Sequence, residues 1–413
     1  MEKTFSQFNP VFQVMIVVVI PILLVAGLGW ANLQFVRQNP GGDHFLVYYK
    51  GTRALLVEGR SPYSDSVAGE IQAESTAQTP QEGEQELRFV HPLYSTVFFT
   101  PVSVISDFTL ARAAWMSILE VVVLLTAYIN LRLTEWKPTP GIKALYYLFT
   151  LAWYFSVRTV ITGNVVILIC FLISLMMLSI KEGWDRWAGV LLALSTITPH
   201  LIIFVVVLVW IWGLSTNRGS ILKWFAGTLI VLVVGSSVLL PDWILQNLWS
   251  VLKFLENNAA LSLGGVVGAW LPGIALQLRW IITAIVAAIL LVEWYAARKK
   301  PVNHLLWAVA LTLTASHWVG IPTHPDNLFI LYPALVFALV MWHKRWEKYG
   351  DVVVAFSLGV FSIGIWIFVL VSPQKITQFL QSPGMLFPLP AFLLVTLYWV
   401  RFWVVHPTRK ILE

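Results

Sequence analysis

Residues 12–57 read FQVMIVVVIPILLVAGLGWANLQFVRQNPGGDHFLVYYKGTRALLV, and the fold class turns on where the apolar character of this stretch changes. From Phe12 to Phe35 the run is long and apolar enough to cross a bilayer. It gives way to Pro40-Gly41-Gly42-Asp43-His44, which places a carboxylate at the water–lipid boundary. From Phe45 to Val57 the pattern becomes that of an amphipathic helix. Phe45, Tyr48, Tyr49, Thr52, Leu55 and Leu56 recur at three- and four-residue intervals, with Lys50, Arg53 and Glu58 on the other face. A helix of this kind lies flat in the headgroup region. Gly51 weakens it and Gly59 ends it, before the turn Arg60-Ser61-Pro62-Tyr63, whose aromatic packs back. Asp43 after two glycines is a good N-cap, and a capping carboxylate still presents one oxygen to a ligand. An ionisable group held at that boundary suits proton chemistry on a lipid-borne substrate.

Composition agrees with a chain that lives in lipid. Hydrophobic residues make up 58% of the 413 positions and charged residues 12%, against about 25% charged in soluble proteins. The mean hydropathy is +0.76. The first apolar run lacks a small-residue cleavage site and reads as an anchor. Cys170, the only cysteine, falls within an apolar run, so no disulfide and no cysteine-based metal site forms within the chain. The net charge of +6 is distributed by membrane side and does not point to nucleic acid.

Span length predicts about twelve crossings. They fall near 12–35, 109–131, 143–160, 164–180, 187–199, 200–214, 221–240, 277–297, 302–320, 326–342, 351–371 and 386–405. The runs 187–199 and 200–214 are short and joined by Thr198-Pro199-His200, so they are read as a shallow, proline-broken hairpin. With the N-terminus in the cytoplasm, the inside loops hold 17 of the 27 Lys and Arg residues. Arg298-Lys299-Lys300 and His343-Lys344-Arg345 decide the register, because a shift by one span would put both outside.

The long loops then all face outward, at 36–108, 241–276 and 372–385, and the chain is a single polytopic domain over 1–413. In the first loop the centre from Ala68 to Glu86 has no periodicity and is expected to be mobile. Ser95 to Ile105, after His91-Pro92-Leu93-Tyr94, is too short to span and reads as a partly inserted helix on the outer side. In the second loop Trp243, Trp249 and Trp270 read as interfacial anchors, and Lys253 and Glu256 as a solvated pair.

Asp43, Tyr48-Tyr49, Leu55-Leu56-x-x-Gly59-x-x-Pro62-Tyr63 and His91-Pro92-Leu93 together resemble the opening of the glycosyltransferase 87 family. Gly163-Asn164, Thr198-Pro199-His200, His324-Pro325-Asp326-Asn327 and Tyr332-Pro333 continue the likeness. Members often have Pro-Pro at His91-Pro92, Gly-Gln at Gly163-Asn164 and Lys-Pro at Pro199-His200. The resemblance implies an all-α integral membrane protein of the GT-C fold, with juxtamembrane helices in its first outer loop. It also implies a catalytic acid near the end of the first span, which Asp43 matches. Polyprenyl-phosphate-mannose-dependent mannosyltransferases belong to this family.

A sugar on a polyprenyl phosphate is already activated, since the lipid phosphate is a good leaving group. The enzyme must deprotonate an acceptor hydroxyl, align it and stabilise charge on the departing phosphate. Asp43 is the expected general base, and a single displacement inverts the anomeric carbon. Substrate contacts are expected from His44, Tyr63, His91, Arg158, Asn164, His200, His317, His324 and Asp326. Arg158 either faces the phosphate or snorkels to the headgroups; Lys253 and Arg279 are further outer cations, Arg279 reading rather as an anchor. The spacing of His317, His324 and Asp326 fits no standard metal motif, and no metal or cofactor is expected. Glu120 reads as an acid paired inside the bundle.

The reading is a plasma-membrane hexosyltransferase, with both termini cytoplasmic. It moves a hexose, mannose by family likeness, to a glycolipid, glycan or protein on the extracytoplasmic face. The rivals are a transporter or flippase of lipid-linked sugars, for which no internal repeat is seen, and a membrane-embedded ligase using a basic residue in a late outer loop.

Overall fold

The computed structural model describes residues 19–41, 43–78, 87–257, 267, 271, 273–319, 325–346, 348–371 and 388–405. Their regular structure is helical throughout. The first part runs α1 (Ile20–Gln38), α2 (Asp43–Leu56), α3 (Asp65–Gln78), a 3-10 turn (Leu93–Ser95) and α4 (Thr96–Ser103). Next come α5 (Phe108–Thr134), α6 (Pro140–Ala152), α7 (Tyr154–Thr162), α8 (Val166–Lys181) and α9 (Asp185–Leu194). A 3-10 turn (Ser195–Ile197) leads into α10 (Pro199–Ser215), α11 (Ser220–Leu239), α12 (Trp243–Asn257), α13 (Ala275–Ala297) and α14 (Val302–Ser316). The 3-10 turn Pro325–Leu331, α15 (Tyr332–Arg345), α16 (Gly350–Val371) and α17 (Pro388–Val405) complete the order.

Each of the twelve apolar stretches carries helix, although residues 12–18 of the first lie outside the described residues. Among the described residues, five helices are long and apolar enough to cross a bilayer: α5, α11, α13, Asp326–Arg345 and Gly350–Ile367. They differ sharply in setting. The apolar window of Asp326–Arg345 is 83% buried, whereas those of α11 and α13 are 17% and 11% buried. Val231, Val238, Ile281, Val292 and Phe356 turn large apolar side chains outward, where lipid takes the place that water has around a soluble protein. The protein is membrane-embedded.

The run 143–160 is not one straight helix. It is the pair α6 and α7, bent by 42° at Trp153. Trp153 is fully buried with extended backbone, and its carbonyl accepts from Ser156 and Val157 to start α7. The bend frees the Ala152 carbonyl, which takes the Trp366 indole N–H of α16 at 2.7 Å. Backbone groups released at a break in a membrane helix must be satisfied in this way.

The first outer segment is more ordered than its composition indicates. The stretch expected to lack regular structure from Ala68 is helical as far as Gln78; residues 79–86 lie outside the described residues. Val67, Ile71 and Ser75, four apart, form the buried stripe of α3, and Glu74 and Glu70 pair with Lys50 and Arg60. On α2, Phe45, Tyr48, Tyr49 and Thr52 are buried as their spacing predicts, but Leu56 is exposed. Gly51 does not merely weaken that helix. A Cβ there would stand 2.5 Å from the Phe89 ring, so the missing side chain lets Phe89 close over α2. Trp243, expected to be an interfacial anchor, is buried against Tyr94, while Trp249 is exposed and Trp270 lies outside the described residues.

The pair α9–α10 leaves and returns to one end of the bundle. Arg218, after α10, bonds Asp185 at the head of α9 and donates to the Ile180 carbonyl at 2.8 Å. With 10 residues, α9 rises only about 15 Å, half the roughly 30 Å of a hydrocarbon core. Its tip is held from above by Tyr94, whose hydroxyl donates to the Thr196 carbonyl at 3.0 Å.

Candidate functional site

The polar residues singled out by the sequence gather at the end of the bundle where α2, α8 and α10 begin and α7 and α14 stop. Arg112, one turn into α5, is 2% exposed and staples this end together. Its guanidinium donates to the Asn39 carbonyl beyond α1 at 2.8 Å and to the Ile161 carbonyl of α7 at 3.0 Å. Charge-assisted bonds of this kind offset the cost of burying a cation.

The α7–α8 junction is Thr162-Gly163-Asn164. Gly163 has φ +71°, and a Cβ on it would meet the Phe45 Cβ at 2.6 Å, so the chain turns here only because no side chain intervenes. Trp115 clamps the Gly163 carbonyl through its indole N–H at 2.8 Å. Asn164 accepts from the Val166 N–H at 2.9 Å and donates to the Asn327 side chain at 3.0 Å. The junction thereby fixes the turn that carries Asp326.

Asp326 is fully buried, and three residues of α7 and α2 converge on it. Arg158 of α7 donates its Nε–H to Oδ1, His44 Nε2 of α2 lies 3.3 Å from Oδ2, and Thr159 donates its hydroxyl to the main-chain carbonyl at 3.0 Å. Arg158 also donates Nη1–H to the Tyr154 hydroxyl at 3.1 Å, which leaves Nη2 uncommitted among the described residues. Arg158 therefore does not snorkel to the headgroups; it is oriented from within by a carboxylate. His44 follows Asp43 in the first turn of α2. The Asp43 side chain and His324 lie outside the described residues.

A second group surrounds the first. Tyr48, one turn beyond His44, stacks on Phe99 at 4.4 Å and meets the His91 ring edge-on at 5.0 Å. His91 Nδ1 lies 3.1 Å from the Ile197 carbonyl; a carbonyl only accepts, so Nδ1 carries the proton and Nε2 is an acceptor. Burial pushes the His91 imidazole down to about 4, against the opposing pull of the Ile197 carbonyl, so the ring is neutral near pH 7. Tyr63 donates its hydroxyl to the His91 carbonyl at 2.8 Å, and Asn247 of α12 reaches the same oxygen at 3.1 Å. His200, in the first turn of α10, lies within electrostatic reach of His91 and His317. His317 bonds the Leu313 carbonyl through Nδ1 at 3.0 Å, and its buried Nε2 has no partner among the described residues.

The structure thus brings together His44, His91, Arg158, Asn164, His200, His317 and Asp326, with Tyr63 behind His91 as a support. It does not include the other outer cations. Lys253 pairs with Asp65 at 2.9 Å rather than with Glu256, and Arg279 lies over the Trp280 ring at 5.6 Å. Glu120 accepts from Asn32 at 2.9 Å inside the bundle. No three His, Cys, Asp or Glu side chains converge as metal ligands would among the described residues. Tyr48 and Asn327 stand in the motifs quoted above but were not expected among the substrate contacts, and Asn247 was not singled out at all. Asn327 follows Asp326 in the sequence, and a buried amide requires a partner, which Asn164 supplies.

The sequence matches the model of glycosyltransferase family 87 over residues 89–319, more than half of the chain. The chain belongs to glycosyltransferase family 87. The matched segment contains His91, Arg158, Asn164, His200 and His317, whereas Asp43, His44 and Asp326 lie to either side of it. No curated protein and no solved structure matches the chain. As a family 87 member with helices suited to a bilayer, the protein is a membrane glycosyltransferase.

Proposed function

We propose that the chain is a GT-C enzyme of about twelve crossings in a plasma membrane. It transfers a hexose, mannose in the first instance, from a polyprenyl-phosphate donor to a glycolipid, glycan or protein acceptor outside the cytoplasm. Both termini are cytoplasmic, and the segments 36–108 and 241–276 face outward. The observation that carries this reading is the convergence of His44, His91, Arg158, His200 and His317 at one end of the bundle, around a fully buried Asp326. The basic residues Lys181, Lys300 and Lys344 gather at the other end, as an inside face requires.

In this reaction Asp43 takes the proton of an acceptor hydroxyl, whose oxygen attacks the anomeric carbon. The bond from that carbon to the phosphate oxygen breaks, the lipid phosphate departs with the electron pair, and the anomeric configuration inverts. The uncommitted Nη2 of Arg158 supplies N–H donors to the departing phosphate, while Asp326 fixes the guanidinium plane. His91, His200 and His317 offer ring nitrogens to sugar hydroxyls. The burial of His91 and His317 also keeps water from competing as acceptor.

The test is transfer by the purified protein from radiolabelled polyprenyl-phosphate sugars to a membrane-lipid extract. Wild type should yield a new labelled molecule, and Asp43→Asn should lose about 10²–10⁴ in rate with its fold intact, the usual contribution of a general base. Label that only relocates between leaflets would favour a flippase. Full activity of folded Asp43→Asn would end the general-base assignment.

A further inference from the structure

The end of the bundle opposite the candidate site holds a cavity of about 690 Å³, within the range of small-ligand sites. Its walls come from the end of α5, α8, α14, α15 and α17. Lys181, Lys300, Lys344 and Arg345 line it against the one carboxylate of Glu135. Two of these cations are already committed. Lys181 donates to the Leu133 carbonyl at 2.7 Å and pairs with Glu135 at 2.8 Å, and Lys344 donates to the Thr134 carbonyl at 3.2 Å. Both neutralise the C-terminal carbonyls of α5, which would otherwise repel an anion. Lys300 and Arg345 meet no carboxylate among the described residues; Arg345 lies over the Trp403 ring at 5.6 Å.

A second observation is independent of charge. His304 lines the same cavity, is 5% exposed, and its Nε2 has no hydrogen-bond partner among the described residues. A buried ring nitrogen in that state calls for a ligand atom or water. Behind the cations the wall turns apolar at Phe337, Met341 and Val404. Two unspent cations, an unanswered buried nitrogen and an adjoining apolar wall match the chemistry of a phosphorylated headgroup with its chains alongside.

We infer that this cavity is a phosphate-binding site, its ligand the phosphate of an anionic phospholipid or free phosphate, held by Lys300, Arg345 and His304. The site is separate from the transfer chemistry and does not depend on it. The test uses the full-length protein in neutral detergent, with the thermal unfolding midpoint followed against dioctanoyl-phosphatidylglycerol, dioctanoyl-phosphatidylcholine and inorganic phosphate. Phosphatidylglycerol should raise the midpoint saturably and at least tenfold more tightly than phosphatidylcholine. Lys300→Gln with Arg345→Gln should weaken that binding at least tenfold. Should the double variant fold poorly, raising NaCl from 0.05 to 0.5 M should weaken binding to wild type in the same sense. Equal protection by inorganic phosphate would keep the site and identify free phosphate as its ligand. Equal binding of the two lipids, no effect of salt, or an unchanged affinity in a folded double variant would overturn the assignment.

Discussion

The two ends of the bundle hold charge in opposite ways. At the candidate site one buried carboxylate, Asp326, is answered from within by Arg158 and His44. At the other end Lys181 and Lys344 answer helix carbonyls, while Lys300 and Arg345 stay open to solvent. The first arrangement fixes direction at a cost in desolvation; the second supplies charge without fixing much. A mutation should therefore be felt in proportion to how completely water is excluded around it.

The largest stability effect should come from breaking the buried pair. Arg158→Leu removes the guanidinium that faces buried Asp326 and should cost about 3–5 kcal/mol, as removal of one partner from a buried ion pair does. Arg158→Leu combined with Asp326→Leu should recover most of that loss in denaturant unfolding yet leave transfer abolished. If the double variant were as unstable as the single, the pair would not be the source of the cost. A smaller effect should follow pH at His91. Its imidazole is held at about 4 in the folded chain and returns to about 6.5 on unfolding. Between those values the unfolded chain binds a proton that the folded chain does not. Stability should thus fall as pH drops from 6.5 towards 4 and level off below, by at most about 3 kcal/mol. His91→Gln should flatten that part of the unfolding profile, and an unflattened profile would place the titration elsewhere. The smallest effect belongs to Asp65. Lys253 and Arg88 hold its carboxyl below the usual carboxylate range, but Asp65 and Lys253 are well exposed. Lys253→Ala should cost less than about 1 kcal/mol and lose even that in high salt.

Helix positions were legible because span length and the placement of Arg298-Lys299-Lys300 and His343-Lys344-Arg345 constrain them strongly. The break at Trp153 was not, since no proline or glycine marks it; it depends on Trp366 reaching the Ala152 carbonyl from a distant helix. The helix α3 was missed because its buried stripe is short and ends in Ser75, and because the ion pairs to Lys50 and Arg60 join segments that a linear reading keeps apart. At the site, residue types were readable and partners were not. Arg158 was legible as a costly charge beside a span, but Asp326, its partner, lies 168 positions away. Gly51 looked like a helix defect until the Phe89 ring was found against it.

The decisive measurement is which side of the membrane each end occupies. Cys170 is buried in α8, so a cysteine introduced at an exposed position can be labelled selectively. Ser66→Cys, exposed on α3, which packs against α2, should react with a membrane-impermeant maleimide in intact cells, whereas Lys137→Cys, at the basic end, should react only after lysis. The reverse pattern would put Arg158, Asp326 and Asp43 on the cytoplasmic side and contradict an enzyme that works on lipid-linked sugar from outside.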